Sequence, residues 1–161
     1  MPTERVCDYP RPPALVASTS HIQVEALGRL LVETHDSFKV LETFHPPTFY
    51  LPPQAVQMSM LQPCPGASFC EWKGVARYFD VVVNLGTTDE RRLRRAAWCY
   101  TEPTPPFRAI AGWIAVYPAL MDACWVDGEK ASPQPGGFYG GWITSNLEGP
   151  FKGDPNHPEL V

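Results

Sequence analysis

The sequence predicts an all-β domain built from short antiparallel strands, and three observations carry that prediction. Apolar and polar residues alternate in short runs broken by turn-forming residues about every 8–12 positions, the spacing of sandwich- and barrel-like domains. No long amphipathic helical pattern occurs. The 161 residues include 19 prolines, each lacking a backbone donor and costly in a helix interior or a central strand.

Residues 1–20, with Pro10, Pro12 and Pro13, read as an extended lead-in. "HIQVEALGRLLVET" (21–34) reads as a β-hairpin turning at Gly28. "FKVLET" (38–43) and "TFYL" (48–51) are two short strands separated by His45-Pro46-Pro47, because a proline pair stops one strand and sets an extended approach to the next. "VARYFDVVVN" (75–84) is the clearest strand, rich in β-branched and aromatic residues. Thr87 with Glu90 three residues on matches a capping box, so a helical turn is expected before the returning strand "AAWCY" (96–100). "AIAGWIAVY" (109–117) is apolar on both alternating faces, as expected of a strand covered on both sides. Pro118 suits the first position of a single helical turn. "ACWVDGE" (123–129) ends in an Asp127-Gly128 hairpin signal. Residues 131–161 shift towards glycine, proline and aromatics. Phe138, Tyr139, Trp142 and Phe151 are expected to lie across the body and cover a sheet face or pocket.

The length is that of a single domain spanning residues 1–161, large enough to bury one proper core. A net charge of −4 argues against general attraction to nucleic acid or anionic membrane. The acidic, proline-containing N-terminus lacks the apolar centre of a signal peptide, and the longest apolar run (109–121) is too short to span a bilayer. The expectation is a soluble, cytoplasmic protein. Its five scattered cysteines form no C-x-x-C pair, so they are read as free and mostly buried thiols, with no metal site.

Several residues invite a chemical reading. In "CEWKG" (70–74), Cys70 has Lys73 three residues on, and Gly74 relaxes the backbone beside them. A cation next to a thiol would activate it, but in a regular strand these side chains point to opposite faces and meet only if the segment turns. Glu42 and His45 have a spacing that shares one helical face, yet Pro46-Pro47 rules out a helix there. Glu42 stays notable as a carboxylate in an apolar strand, which must be hydrogen-bonded or have its pKa raised if it points inward. Arg91, Arg92, Arg94 and Arg95 could grip phosphate, although a solvated connection is the simpler reading. Of the five tryptophans most are expected in the core, and a subset lining a groove would stack on a flat or cationic small molecule.

Taken in order, "VLETFHPPTFYLPP" (40–53), "CEWKGVARYF" (70–79), "AAWCYTEP" (96–103), "AIAGWIAVY" (109–117) and "GGFYGGWITSNLEGPFKG" (136–153) resemble domain of unknown function family 427 over nearly the whole chain. At 70–74 that family usually carries a proline where this chain has Glu71. The resemblance implies a β-tent: two antiparallel sheets packed at a steep angle, with short helical turns only, as in methionine sulfoxide reductase B and the thalidomide-binding domain of cereblon. Many β-tent relatives hold zinc through two C-x-x-C pairs. Those pairs are absent here, so zinc is not carried over. The family is also labelled a predicted nucleotidyltransferase, an activity that requires paired carboxylates for magnesium. The one Asp-x-Glu, Asp127-Gly128-Glu129, falls in an expected hairpin turn.

The functional expectation is therefore a domain that binds a small molecule in an aromatic-lined groove between its sheets, with no cofactor. Glu42, Thr43, Tyr50, Cys70, Lys73 and Tyr78 are the expected polar contacts, and Trp98, Tyr100, Trp113 and Tyr117 the aromatic wall. Lys73 would supply a cation for an anionic group and Glu42 an acceptor. The alternatives are an enzyme with Cys70 as nucleophile and Lys73 or Glu42 in proton transfer, or a nucleotidyltransferase. Homodimerisation through open sheet edges is a further expectation.

Overall fold

The structure is a computed structural model and describes residues 2–160. It is all-β, with strands β1 (Glu4–Arg5), β2 (Ala14–Ser18), β3 (Ile22–Ala26), β4 (Arg29–Thr34), β5 (Ser37–Leu41), β6 (Thr48–Tyr50), β7 (Leu61–Cys70), β8 (Gly74–Val83), β9 (Arg91–Tyr100), β10 (Ala115–Val116), β11 (Ala123–Val126), β12 (Glu129–Lys130), β13 (Ser132–Pro133), β14 (Trp142–Ile143) and β15 (Leu147–Glu148). Helical structure among the described residues is confined to short 3-10 turns. None of these is long and apolar enough to cross a membrane. Three sheets form the body, in strand orders β10-β9-β8-β7, β12-β11-β3-β4 and β2-β5-β6.

Local sequence explains the hairpins. β3 and β4 meet at Leu27-Gly28, whose φ angles of 53° and 76° are both positive. That is the primed turn whose twist matches the strands it joins. β11 and β12 meet at Asp127-Gly128, with φ of 50° and 83°, in the same way. Asp127 is also tied down: its carboxylate accepts the His21 N–H at 2.7 Å.

The central strands are apolar on both faces because they separate two cores. In β6 and just beyond, Phe49 and Leu51 enter an aliphatic core with Ile22, Val24, Leu31 and Val81, while Tyr50 enters an aromatic one. In β8, Val81 and Val83 face the first and Ala76 and Tyr78 the second; in β9, Ala97 and Cys99 face the first and Trp98 and Tyr100 the second. Alternation every second residue thus sends consecutive side chains into different compartments. β8 and β9 shift register between Phe79 and Val81, at buried Asp80. Burial works against charge at Asp80, but the Arg95 N–H and the Arg92 guanidinium, both at 2.7 Å, outweigh it and hold the carboxyl below its usual range.

Four expectations are corrected. Residues 14–18 are more than a lead-in, since β2 pairs with β5 along its whole length. Residues 61–70, given no element from sequence, form β7. Pro63, Pro65 and Gly66 disguise it, and they are tolerated because β7 is an edge strand whose pairing is interrupted between Pro63 and Ala67. Thr87–Glu90 closes a hydrogen-bonded turn instead of a helix: the Thr87 hydroxyl donates to the Asn84 carbonyl, and Glu90 accepts the Gly86 N–H. β9 then starts at Arg91, so the arginine cluster is the solvent end of a long strand. Most of 109–117 is not a strand. Pro105–Ile110 forms a 3-10 segment and only Ala115–Val116 pairs with β9. Its apolar residues are divided between the cores, Ile110 and Ala115 in the aromatic one and Ile114 and Val116 in the aliphatic one.

Candidate functional site

"CEWKG" is a hairpin turn: Cys70 ends β7, Gly74 opens β8, and the two residues pair. Gly74 has φ of 107°, a conformation strained for any side chain. The turn is pinned from outside by Thr104, whose hydroxyl donates to the Trp72 carbonyl and whose N–H donates to the Lys73 carbonyl at 3.1 Å. Lys73 is thereby aimed inward, its Nζ 5.9 Å from the Tyr100 ring centre and 5.8 Å from that of Phe107. Among the described residues no hydrogen bond joins Lys73 to Cys70.

Behind this turn lies a cavity of about 390 Å³. β5 and β6 contribute Val40, Thr48 and Tyr50. The β7–β9 side contributes Ser68, Cys70, Lys73, Tyr78, Trp98 and Tyr100, and Tyr117 follows β10. The C-terminal segment adds Gln134, Phe138, Tyr139, Gly140 and Lys152. Gly140 lies against the Trp98 indole so closely that an added Cβ would sit 2.2 Å from the ring.

Eight of the ten residues expected at a groove meet in this cavity: Glu42, Tyr50, Cys70, Lys73, Tyr78, Trp98, Tyr100 and Tyr117. Thr43 and Trp113 do not. The Thr43 hydroxyl donates to the Tyr9 carbonyl at 2.6 Å, and Trp113 packs on Phe38 with ring centres 5.2 Å apart.

The aromatic wall is polar at its edges. Trp98 Nε1 donates to the Tyr50 hydroxyl at 3.3 Å, and Trp98 packs against Tyr117 at 4.5 Å between ring centres. Tyr78 and Ser68 hydroxyls are 2.6 Å apart. Burial pushes the Tyr50 and Tyr100 phenols well above their usual range and Tyr117 to about 12, so all three keep their protons as donors at neutral pH.

The opposite rim is a turn that sequence reasoning set aside. The His45 N–H donates to the Glu42 carbonyl at 2.9 Å, and Phe44 between them has φ of 67°. The Glu-x-x-His spacing therefore does bring the two side chains together, through a turn, with His45 Nε2 3.9 Å from the Glu42 carboxylate. Arg11 approaches the same carboxylate at 3.6 Å. Gln134 decides the His45 tautomer. Its Oε1 accepts the Gly141 N–H at 3.2 Å, so its amide nitrogen donates to the Lys152 carbonyl at 2.9 Å and to His45 Nδ1 at 3.0 Å. The remaining proton then sits on Nε2, towards Glu42. Burial lowers the His45 pKa, assisted by Lys152 and Lys73 and opposed by Glu42. Gln134 and Lys152 escaped sequence reasoning because only the folded C-terminal segment brings them to His45.

The Asp-x-Glu that a magnesium-dependent transferase would need is already used. Glu129 accepts the Ser145 N–H at 2.7 Å and its hydroxyl at 2.9 Å, while Asp127 holds His21. Among the described residues no group of three His, Cys, Asp or Glu side chains is placed to hold a metal ion. These residues do not fit that chemistry.

A family model described as "Domain of unknown function (DUF427)" matches residues 14–127. The chain belongs to the DUF427 family. The matched span contains every strand of the three body sheets except β12, and the aromatic wall of the cavity. Gln134, Tyr139, Gly140 and Lys152, which close it, lie beyond the span. No curated protein matches the chain.

Proposed function

We propose that this DUF427 protein binds a planar small molecule in the cavity between β5–β6 and β7–β9, on the β-tent scaffold that the family resemblance implies. The carrying observation is that Tyr50, Trp98, Tyr100 and Tyr117 share one cavity with Lys73, Lys152, His45 and Glu42. Aromatic rings supply area for stacking, and a few convergent polar groups fix orientation, the usual division of labour in a small-molecule site. The cavity falls within the roughly 300–1,000 Å³ of such sites. Because the phenols remain protonated and His45 presents Nε2–H, the site offers mainly donors, which suits a ligand with carbonyl or ring-nitrogen acceptors.

The test pairs stability with thiol protection. Uncharged planar probes (indole, quinoline and 1-naphthaleneacetamide) are added to the purified protein. At least one is expected to raise the melting temperature, because a ligand selective for the folded state stabilises it. That probe should also slow alkylation of Cys70, in the cavity wall, and leave Cys7 unaffected. No melting shift with any probe, or equal protection of both thiols, would overturn the proposal.

A further inference from the structure

A second hollow, of about 550 Å³, adjoins the first and shares with it Tyr78, Tyr117, Phe138 and Tyr139. Its remaining wall comes from Arg95, Ala119, Leu120 and two glycines, so Arg95 is the single charged residue lining it. The Arg95 guanidinium sits 3.9 Å above the Tyr78 ring centre. Stacking of this kind covers one face and leaves the N–H edge free. Among the described residues that edge has no carboxylate within ion-pair distance and donates no hydrogen bond. Arg92, on the same strand, differs: it is paired with Asp80 at 2.7 Å and Glu90 at 3.6 Å.

The backbone also fixes Arg95. Its φ is 51°, a left-handed conformation uncommon for a residue with a side chain, and its N–H is held by Asp80 at 2.7 Å. Position 95 is thus turned out of the regular pleat at the register shift, towards the shared tyrosines. An oriented, unpaired guanidinium in an otherwise aromatic and apolar wall is suited to bidentate recognition of a carboxylate or phosphate.

We propose that the ligand is an aromatic anion, with its ring in the aromatic cavity and its carboxylate or phosphate group on Arg95 in the adjoining hollow. This rests on the ring-binding reading above and names the ligand class. Tyr78 would then serve both ends, with its hydroxyl at the cavity and its ring under the guanidinium.

The experiment compares 1-naphthaleneacetate, 1-naphthyl phosphate and the neutral 1-naphthaleneacetamide by calorimetry on the full chain. At least one anion is expected to bind about tenfold or more tighter than the amide, the scale of a charge-assisted hydrogen bond. Whichever anion gains more identifies the preferred group. Arg95→Gln should remove that advantage, leaving the anions no tighter than the amide on the same variant, and a cooperative melting transition shows that the variant is folded. Arg77→Gln, on the alternate face of β8, should change neither. Equal binding of amide and anions by the wild type would overturn the anion assignment and leave the ring site standing. An anion preference retained in Arg95→Gln would also overturn it. Failure of all three to bind would overturn both.

Discussion

The two cores share strands yet differ in kind. The aliphatic core, around Val24, Leu31, Leu51, Val81 and Val116, is made mostly of branched side chains that close-pack, together with Phe49 and the buried Trp142, whose indole N–H has no hydrogen-bond partner. The aromatic core, around Tyr50, Tyr78, Trp98 and Tyr100, carries hydroxyls and an indole N–H that need partners. Rings bonded at their edges cannot interdigitate as branched chains do, and here they enclose a cavity. Adjacent residues such as Tyr50 and Leu51 therefore do different jobs: one side of the sheet packs a closed core, and the other lines a cavity.

The sharpest way to break this division is to mutate those neighbours. Leu51→Ala should cost about 2–5 kcal/mol, as for a large-to-small change in a closed core, read as a drop in the denaturant midpoint. Tyr50→Phe should cost only about 1 kcal/mol, by removing the acceptor of Trp98 Nε1. Equal losses would mean that the aromatic side is as tightly packed as the aliphatic side.

An intermediate effect is expected at the cavity roof. Gly140→Ala forces a methyl group into the Trp98 indole and should cost about 1–3 kcal/mol, as overpacking does. Because it displaces the roof and leaves the aliphatic core untouched, probe binding should fall more than stability does. Paired melting and calorimetry measurements check this, and unchanged binding would detach the roof from the site.

The smallest effect is a pH dependence. His45 is half-buried and its pKa is lowered, so the unfolded chain takes up a proton more readily than the folded one. Stability should therefore decline as pH falls through the unfolded histidine value of about 6.5. His45→Gln should flatten this part of the denaturant-midpoint profile. An unchanged slope would place the titration elsewhere.

The same contrast explains what could be read from the sequence. Strands with two clear faces and turn residues at their ends, such as β3–β4 and β11–β12, were legible because the signals are local. β7 was hidden by Pro63 and Pro65, which only an edge position makes acceptable. Residues 109–117 looked like a strand because both faces are apolar, a property that comes from bridging two cores. At the site, the aromatic positions and Lys73 stood out as polar groups in apolar segments. The Glu42–His45 turn and its clamp by Gln134 did not, since a bond between positions 45 and 134 leaves no local trace. Arg95 was visible only as one of a charged cluster, because its stacking on Tyr78 depends on the register shift at Asp80.

The most direct measurement follows the five tryptophan indole N–H signals by nitrogen-15 NMR while 1-naphthaleneacetamide is titrated in. Only Trp72 and Trp98 line the cavity, whereas Trp125 is bonded to Glu25 at 2.7 Å and Trp142 lies in the aliphatic core. Saturable shifts are predicted at Trp98 and Trp72, with Trp125 and Trp142 unmoved. Shifts confined to Trp125 or Trp142, or none at any indole, would contradict the assignment of the aromatic cavity as the binding site.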